Sequence, residues 1–261
     1  MKKKVLKLMA ALVAFLLISA VLSFTTSFVG NPISKMLANR DVQAYVSEKY
    51  ADLDLEIESA IYNFKYGQYM SHVYSEESQD THFSIFWEKG EIVSDDYEDR
   101  VLSGLNTHER LNQAYREVVE PLIIDHLPYE FDMVIASLNK YGQFDFSDLP
   151  LDVEFDLYND SLDAHLTVYL YTDEMSWDYL ARVAIEIDDL IQQNQLHINR
   201  YDIILEPTSA KEGKGGDMLG IYDFPQTLLK SENLAQVMKD HHVKWEQEMN
   251  QLKDEEANLM E

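Results

Sequence analysis

The chain of 261 residues has no cysteine. That absence excludes disulfides, thiolate metal sites, cysteine nucleophiles and lipid attachment through a lipobox cysteine. Positive charge is also scarce: 21 Lys+Arg stand against 47 Asp+Glu, a net charge of −26. Lys2, Lys3, Lys4 and Lys7 supply four of those cations, so the remainder of the chain carries −30. A surface of that sign repels phosphate backbones and anionic headgroups, which excludes nucleic acid as a partner. The acidity itself fits either cationic partners or plain solubility in an exposed, high-salt or high-pH setting.

Catalytic signatures are missing as well. His108-Glu109-Arg110-Leu111-Asn112 fails as a zinc-protease motif, because Asn112 stands where the second histidine must ligate. The glycines from Gly213 to Gly216 lack the spacing and the Lys-Ser/Thr ending of a P-loop and read as a flexible hairpin tip. No Gly-x-Ser-x-Gly elbow occurs. Carboxylates are so numerous that a pair at acid–base spacing is uninformative, and no cofactor is implied.

What the chain does have is an uncharged run from Leu8 to Ser34 behind the four N-terminal lysines. From Leu8 to Phe24 only Ser19 and Ser23 are polar. As a helix, with its Ser/Thr-rich extension, the run is long enough for a hydrocarbon layer of ~30 Å, which needs roughly 20 residues. Residues 5–29 are therefore expected in a lipid bilayer, with the lysines on the cytoplasmic side and the bulk outside. A cleavable signal peptide, and hence secretion, is the alternative. The long apolar core and the lack of an Ala-x-Ala pattern at Val21-Leu22-Ser23 or Thr25-Thr26-Ser27 favour a retained single-pass anchor.

The rest is expected to fold, given 46% hydrophobic residues, 16 Tyr and 11 Phe. Gly30-Asn31-Pro32 ends the first helix, and apolar residues from Ile33 to Tyr50 recur at helical spacing. Leu53, Leu55 and Ile57 then alternate with acids, as in a half-buried strand that continues through Tyr62 and Phe64. After a turn at Tyr66-Gly67-Gln68 come strands at Tyr69–Ser75 and His82–Trp87, completing a helix plus a three-stranded antiparallel meander. A helix capped by Asn106 or Thr107, kinked or ended by Pro121, joins the halves.

The second half offers strands at Leu151–Tyr158, His165–Tyr171, Tyr201–Leu205 and Leu219–Phe224, a helix capped by Ser176, and a last helix from about Ser231. The expected organisation is an anchor (or signal peptide) over 1–32, a helix-plus-meander unit over 33–105, a connecting helix over 106–130 and a second unit over 131–261. Without regular βαβ alternation the class is α+β, two small units with antiparallel sheets behind a transmembrane helix.

Several segments carry a family resemblance. Gly30-Asn31-Pro32-Ile33-Ser34-Lys35, Tyr62-Asn63-Phe64-Lys65-Tyr66-Gly67, Asp80-Thr81-His82-Phe83 and Asp95-Asp96-Tyr97 resemble the YfjL-like proteins of Firmicutes. So do Phe144-Asp145-Phe146 with Leu149-Pro150, and Ile204-Leu205-Glu206-Pro207. The resemblance spans nearly the whole chain and implies a membrane-anchored envelope protein, with no activity or site to carry over.

Two weak metal candidates remain. His72 and His82 lie on adjacent expected strands, and a register pairing them directly would put both rings within metal-ligand reach, though without an identifiable third ligand. Asp152, Glu154 and Asp156, like Asp52, Asp54, Glu56 and Glu58, would line one strand face about 7 Å apart and could attract Ca²⁺. Ordinary packing of half-buried strand histidines and plain solvation of an outer strand face are the favoured readings of the two sets. His241-His242 diverge by ~100° on a helix and cannot share one metal. The favoured expectation is a non-enzymatic binding or accessory module that touches a protein or cell-wall component. A cation-binding or regulatory envelope protein and an envelope hydrolase are the alternatives.

Overall fold

A computed structural model describes residues 2–138, 146–156, 163–214 and 216–259. The chain divides into two compact units. Met1–Thr107 with Asp145–Val153 form the first, and His108–Phe144 with Glu154–Glu261 the second.

The first unit begins with helix α1 (Lys2–Val29). Gly30 ends it in the left-handed region, at φ +78°, where a Cβ would come within 2.6 Å of the Tyr69 hydroxyl and 2.7 Å of Tyr62. Only glycine fits there. Asn31 then caps helix α2 (Pro32–Lys49), its side chain accepting from the Ile33 amide at 2.8 Å, with Pro32 in the first turn where no N–H is needed. Ala38, Val42 and Val46 recur every fourth residue and form the buried stripe of α2.

That stripe covers one face of a five-stranded antiparallel sheet: β1 (Glu56–Ile57), β2 (Ile61–Asn63), β3 (Gln68–Tyr74), β4 (His82–Glu88) and β5 (Glu91–Asp95). Tyr69, Ser71 and Val73 on β3 and Phe83, Ile85 and Trp87 on β4 alternate inward, as period-two burial requires. The expected three-stranded meander is thus corrected to five strands. Its first strand is broken in two, since the Ala60 amide donates to Asn39 Oδ1 at 2.7 Å instead of to the ladder, and Phe64 falls in the turn. The unforeseen β5 is paired through a tight turn whose central residues, Lys89 and Gly90, both have positive φ. A π-helical turn (Glu98–Leu102) follows, and Val101 joins Val42, Val46, Tyr50, Val73, Phe83 and Ile85 in the core.

Helix α3 (Leu105–His126) runs through Pro121 and neither ends nor is capped as the sequence suggests. Asn106 lies buried inside its first turn, and its amide donates to the carbonyls of Asp80 and His82 at 2.9 and 2.7 Å.

The second unit holds β6 (Glu130–Leu138), β7 (Ala164–Tyr171), α4 (Trp177–Gln193), β8 (Arg200–Glu206), β9 (Leu219–Pro225) and α5 (Leu234–Leu259), with short 3₁₀ turns at Thr208–Glu212 and Gln226–Lys230. Sheet order is β6-β7-β8-β9. The β6–β7 and β8–β9 pairs are antiparallel, but β7 and β8 run parallel. Both units are α+β with antiparallel strand pairs, as expected, and the parallel β7–β8 pair is an addition to that pattern: α4 carries the chain back across the sheet, as a parallel connection requires. Ser176 caps α4 by accepting from the Tyr179 amide, and Leu180, Ala184, Ile187 and Ile191 bury its inner face.

Over its described residues, 151–156, the strand expected at Leu151–Tyr158 does not form. Leu151 and Asp152 form a turn and 153–156 belong to no strand, while 157 and 158 lie outside the described residues. Asp152 has φ +57°, which no β-strand accommodates. Strand β6, with Val134, Ala136 and Leu138 turned into the core, occupies the place in the sheet instead. Of the Gly213–Gly216 tip, Gly213 ends a 3₁₀ turn at φ +71°, and Gly215 lies outside the described residues.

Candidate functional site

Along α1 every large apolar side chain from Met9 to Val29 that the structure describes is 53–73% exposed. Among the described residues it is the one helix long and apolar enough to cross a membrane. Its polar insert is self-satisfied, the Thr25 hydroxyl donating to the Val21 carbonyl at 2.8 Å. Leaving such a surface in water carries a hydrophobic transfer cost. At its exit the Asn31 amide donates to the Tyr69 hydroxyl at 2.5 Å, and that hydroxyl donates to the Asn31 carbonyl at 2.8 Å. The helix end is thereby pinned to the start of β3.

The weak metal candidates are placed as follows. His72 lies opposite Ser84 and His82 opposite Tyr74, so the two imidazoles are diagonal neighbours with ring centroids 5.7 Å apart. The observed register is two residues away from the one that would pair the histidines directly. Asp152 engages Asp80, as its amide donates to Asp80 Oδ2 at 2.7 Å. Glu154 and Asp156 are exposed and on no strand, and β1 is too short to align Asp52 and Asp54 with Glu56 and Glu58. No metal-ligand group of three His, Cys, Asp or Glu occurs among the described residues. His241 Nε2 contacts the Tyr222 carbonyl at 2.9 Å, whereas His242 Nε2 faces Glu246 at 3.4 Å.

The failed zinc motif has a structural task that sequence reading missed. His108, Asn112, Arg116 and Glu120 recur every fourth residue on α3, and His108, Asn112 and Glu120 meet the free edge of β6. His108 Nε2 contacts the Leu138 carbonyl at 2.7 Å, Asn112 Oδ1 accepts from the Leu138 amide at 2.8 Å, and Glu120 Oε1 accepts from the Ala136 amide at 3.1 Å. Arg116 holds Glu120 at 2.8 Å. Side chains thus satisfy main-chain groups that an open edge would present to another strand.

Two polar clusters sit deeper. In the first unit the Asp95 carboxylate accepts from Tyr50 Oη at 2.9 Å, from Lys49 Nζ at 2.8 Å, from the Tyr97 amide at 3.1 Å and from Tyr45 Oη. Burial pushes the Asp95 carboxyl up, but Lys49 and the two phenols outweigh it and hold the group below the usual carboxylate range. In the second unit His165 is 3% exposed, with Nε2 at 3.0 Å from Asp202 Oδ2. Burial likewise raises Asp202, and the imidazole, the Asp223 amide at 2.6 Å and the Thr167 hydroxyl at 3.3 Å together bring it below its ordinary value. A histidine–aspartate pair is a proton-holding device in general. Here the imidazole is buried, Asp202 is half-buried, and the pair links β7 to β8.

Residues 3–96 match the family model described as YfjL-like, N-terminal domain, and residues 114–239 match the one described as YfjL-like C-terminal domain. No curated protein and no solved structure matches the chain.

Proposed function

The chain belongs to the YfjL-like family, and on that premise we propose that it is a bilayer-anchored envelope protein whose folded units work outside the cytoplasm as a non-enzymatic binding or accessory module. One observation carries the reading: the continuous exposed apolar surface of α1, which a bilayer covers and water does not. Lys2, Lys3, Lys4 and Lys7 precede that surface, an asymmetry that keeps the N-terminus cytoplasmic. The reading as a binding module draws on the use of polar side chains. His108, Asn112 and Glu120 close a strand edge, Asp95 ties α2 to β5, and His165 with Asp202 links β7 to β8.

The test is protease added to intact, wall-stripped cells, followed by membrane fractionation. The full chain is expected in the membrane fraction and is expected to be degraded by external protease. Protection from the protease, or a shortened soluble form in the medium, defeats the reading.

A further inference from the structure

The turn joining β2 to β3 stands beside the exit of α1. The Phe28 ring lies 5.1 Å from Phe24 and 6.0 Å from Phe64, so an aromatic row continues from the helix onto the turn. Gly67, at φ +72°, closes that turn. Phe64 and Tyr66 on it, Ile61 at the start of β2, and Ile33 and Met36 at the start of α2, are 62–65% exposed. Charge is distributed unusually here. Residues 30–40 and 61–70 contain Lys35, Arg40 and Lys65 and no acid, in a chain with 47 Asp+Glu. Arg40 pairs with Asp41 at 2.8 Å, and the Lys65 ammonium lies 5.4 Å from the centre of the Tyr66 ring.

We propose that this turn is an interfacial lipid-binding site: Phe64 and Tyr66 enter the headgroup layer of the leaflet from which α1 emerges, and Lys35 and Lys65 reach its phosphate oxygens. The proposal rests on the anchored reading of α1. Aromatic rings with one polar edge settle at the boundary between acyl chains and water, and lysine stems extend their ammonium groups toward the phosphates there. A bilayer is favoured over a protein partner by continuity. Phe28 on the spanning helix touches Phe64, and the tether holds the turn within reach of lipid at high effective concentration. The absence of acids from these two segments removes the repulsion that the rest of the chain would meet at anionic headgroups. With α1 alone the first unit would have one attachment to the membrane. The turn adds a second, which fixes the unit's tilt on the surface.

The cysteine-free chain allows single labels to be placed without background. The full-length protein carrying Val13→Cys, Lys65→Cys or Glu77→Cys is labelled with an environment-sensitive fluorophore and reconstituted into phosphatidylcholine vesicles containing nitroxide lipids, labelled shallow and deep. Glu77 lies in the loop at the far end of β3 from the turn. Labels at 13 and 65 are expected to be quenched several-fold more than the label at 77. Adding Phe64→Ser and Tyr66→Ser is expected to lower quenching at 65 to the level at 77 without changing it at 13. Quenching at 13 but not at 65 overturns the lipid-binding turn and leaves the anchor standing, and is also the outcome if a protein covers the turn. Unchanged quenching at 65 in the serine variant overturns the turn as well. No quenching at 13 overturns the anchored reading itself.

Discussion

Asp80 and Asp152 hold each other's main chains. The Asp152 amide donates to Asp80 Oδ2 at 2.7 Å, and the Asp80 amide donates to Asp152 Oδ1 at 3.2 Å, across 72 positions of sequence. Asp80 is fully buried, and its own carbonyl accepts from Asn106. Two carboxylates that a surface count would assign to solvation or cations are therefore fastening the segment 145–153 into the first unit.

Replacing Asp80 with Ala is expected to lower stability by about 1–3 kcal/mol, because a buried amide-accepting carboxylate is lost and the Asp152 amide loses its acceptor. At Asp152 the expected order is Ala more damaging than Gly: both lose the carboxylate, but only Gly takes φ +57° without strain. Thermal melts of the full chain in detergent measure both. Equal losses for Asp152→Ala and Asp152→Gly would show that the backbone conformation is not under constraint.

The Asp95 cluster sets a pH window. The folded-state pKa of Asp95 is depressed, so its contribution is present above the ordinary aspartate value of ~3.9 and is lost as pH falls through the lower folded value. Lys49 is raised, first by its bond to Asp95, and Tyr50 is raised, first by burial. Their contributions are present below the ordinary values of ~10 and are lost as pH climbs through the folded ones. The stability difference between the natural chain and Asp95→Asn is therefore expected to be flat between about pH 4 and pH 10, at about 2 kcal/mol, and to shrink on either side. Melting both proteins across that range checks it, and a difference that is largest in acid would contradict the assignment.

Removing the caps on β6 should uncover a donor row. The double variant Asn112→Ala/Glu120→Ala leaves the Leu138 and Ala136 amides without their side-chain acceptors, at a cost of about 1–3 kcal/mol each. It also presents an unpaired strand edge, so the variant is expected to associate as concentration rises. Light scattering across a dilution series, read beside the melt, reports the two effects separately. A variant as stable and as monodisperse as the parent would mean that the edge needs no such protection.

How much could be read from the sequence depended on how far each signal reaches along the chain. The cap of α4 at Ser176 lies beside the helix it starts and was legible. So were the uncharged run of α1 and the helix break at Gly30, which are local in the same way. By contrast, Val153 and Phe155 alternate with acids just as a strand would, and the residue that prevents a strand there, Asp80, is 72 positions away. The stripe from His108 to Glu120 was visible only as a failed motif, because its partners at Ala136 and Leu138 become apparent once β6 is in place. His72 and His82 show the remaining difficulty. Both strands were identified, but a register shift of two residues, invisible in the alternation pattern, decides which side chains face each other.

The return of 145–153 to the first unit also bears on the order of events during synthesis. Translation proceeds at roughly 5–20 residues per second, so the 72 positions between Asp80 and Asp152 represent a delay of about 4–14 s. Throughout that interval the Asp80 carboxylate and amide lack their Asp152 contacts, while β6 of the second unit is already being translated. The two units therefore cannot mature in simple N-to-C succession, since the first is completed only by a stretch of chain made after the second has begun.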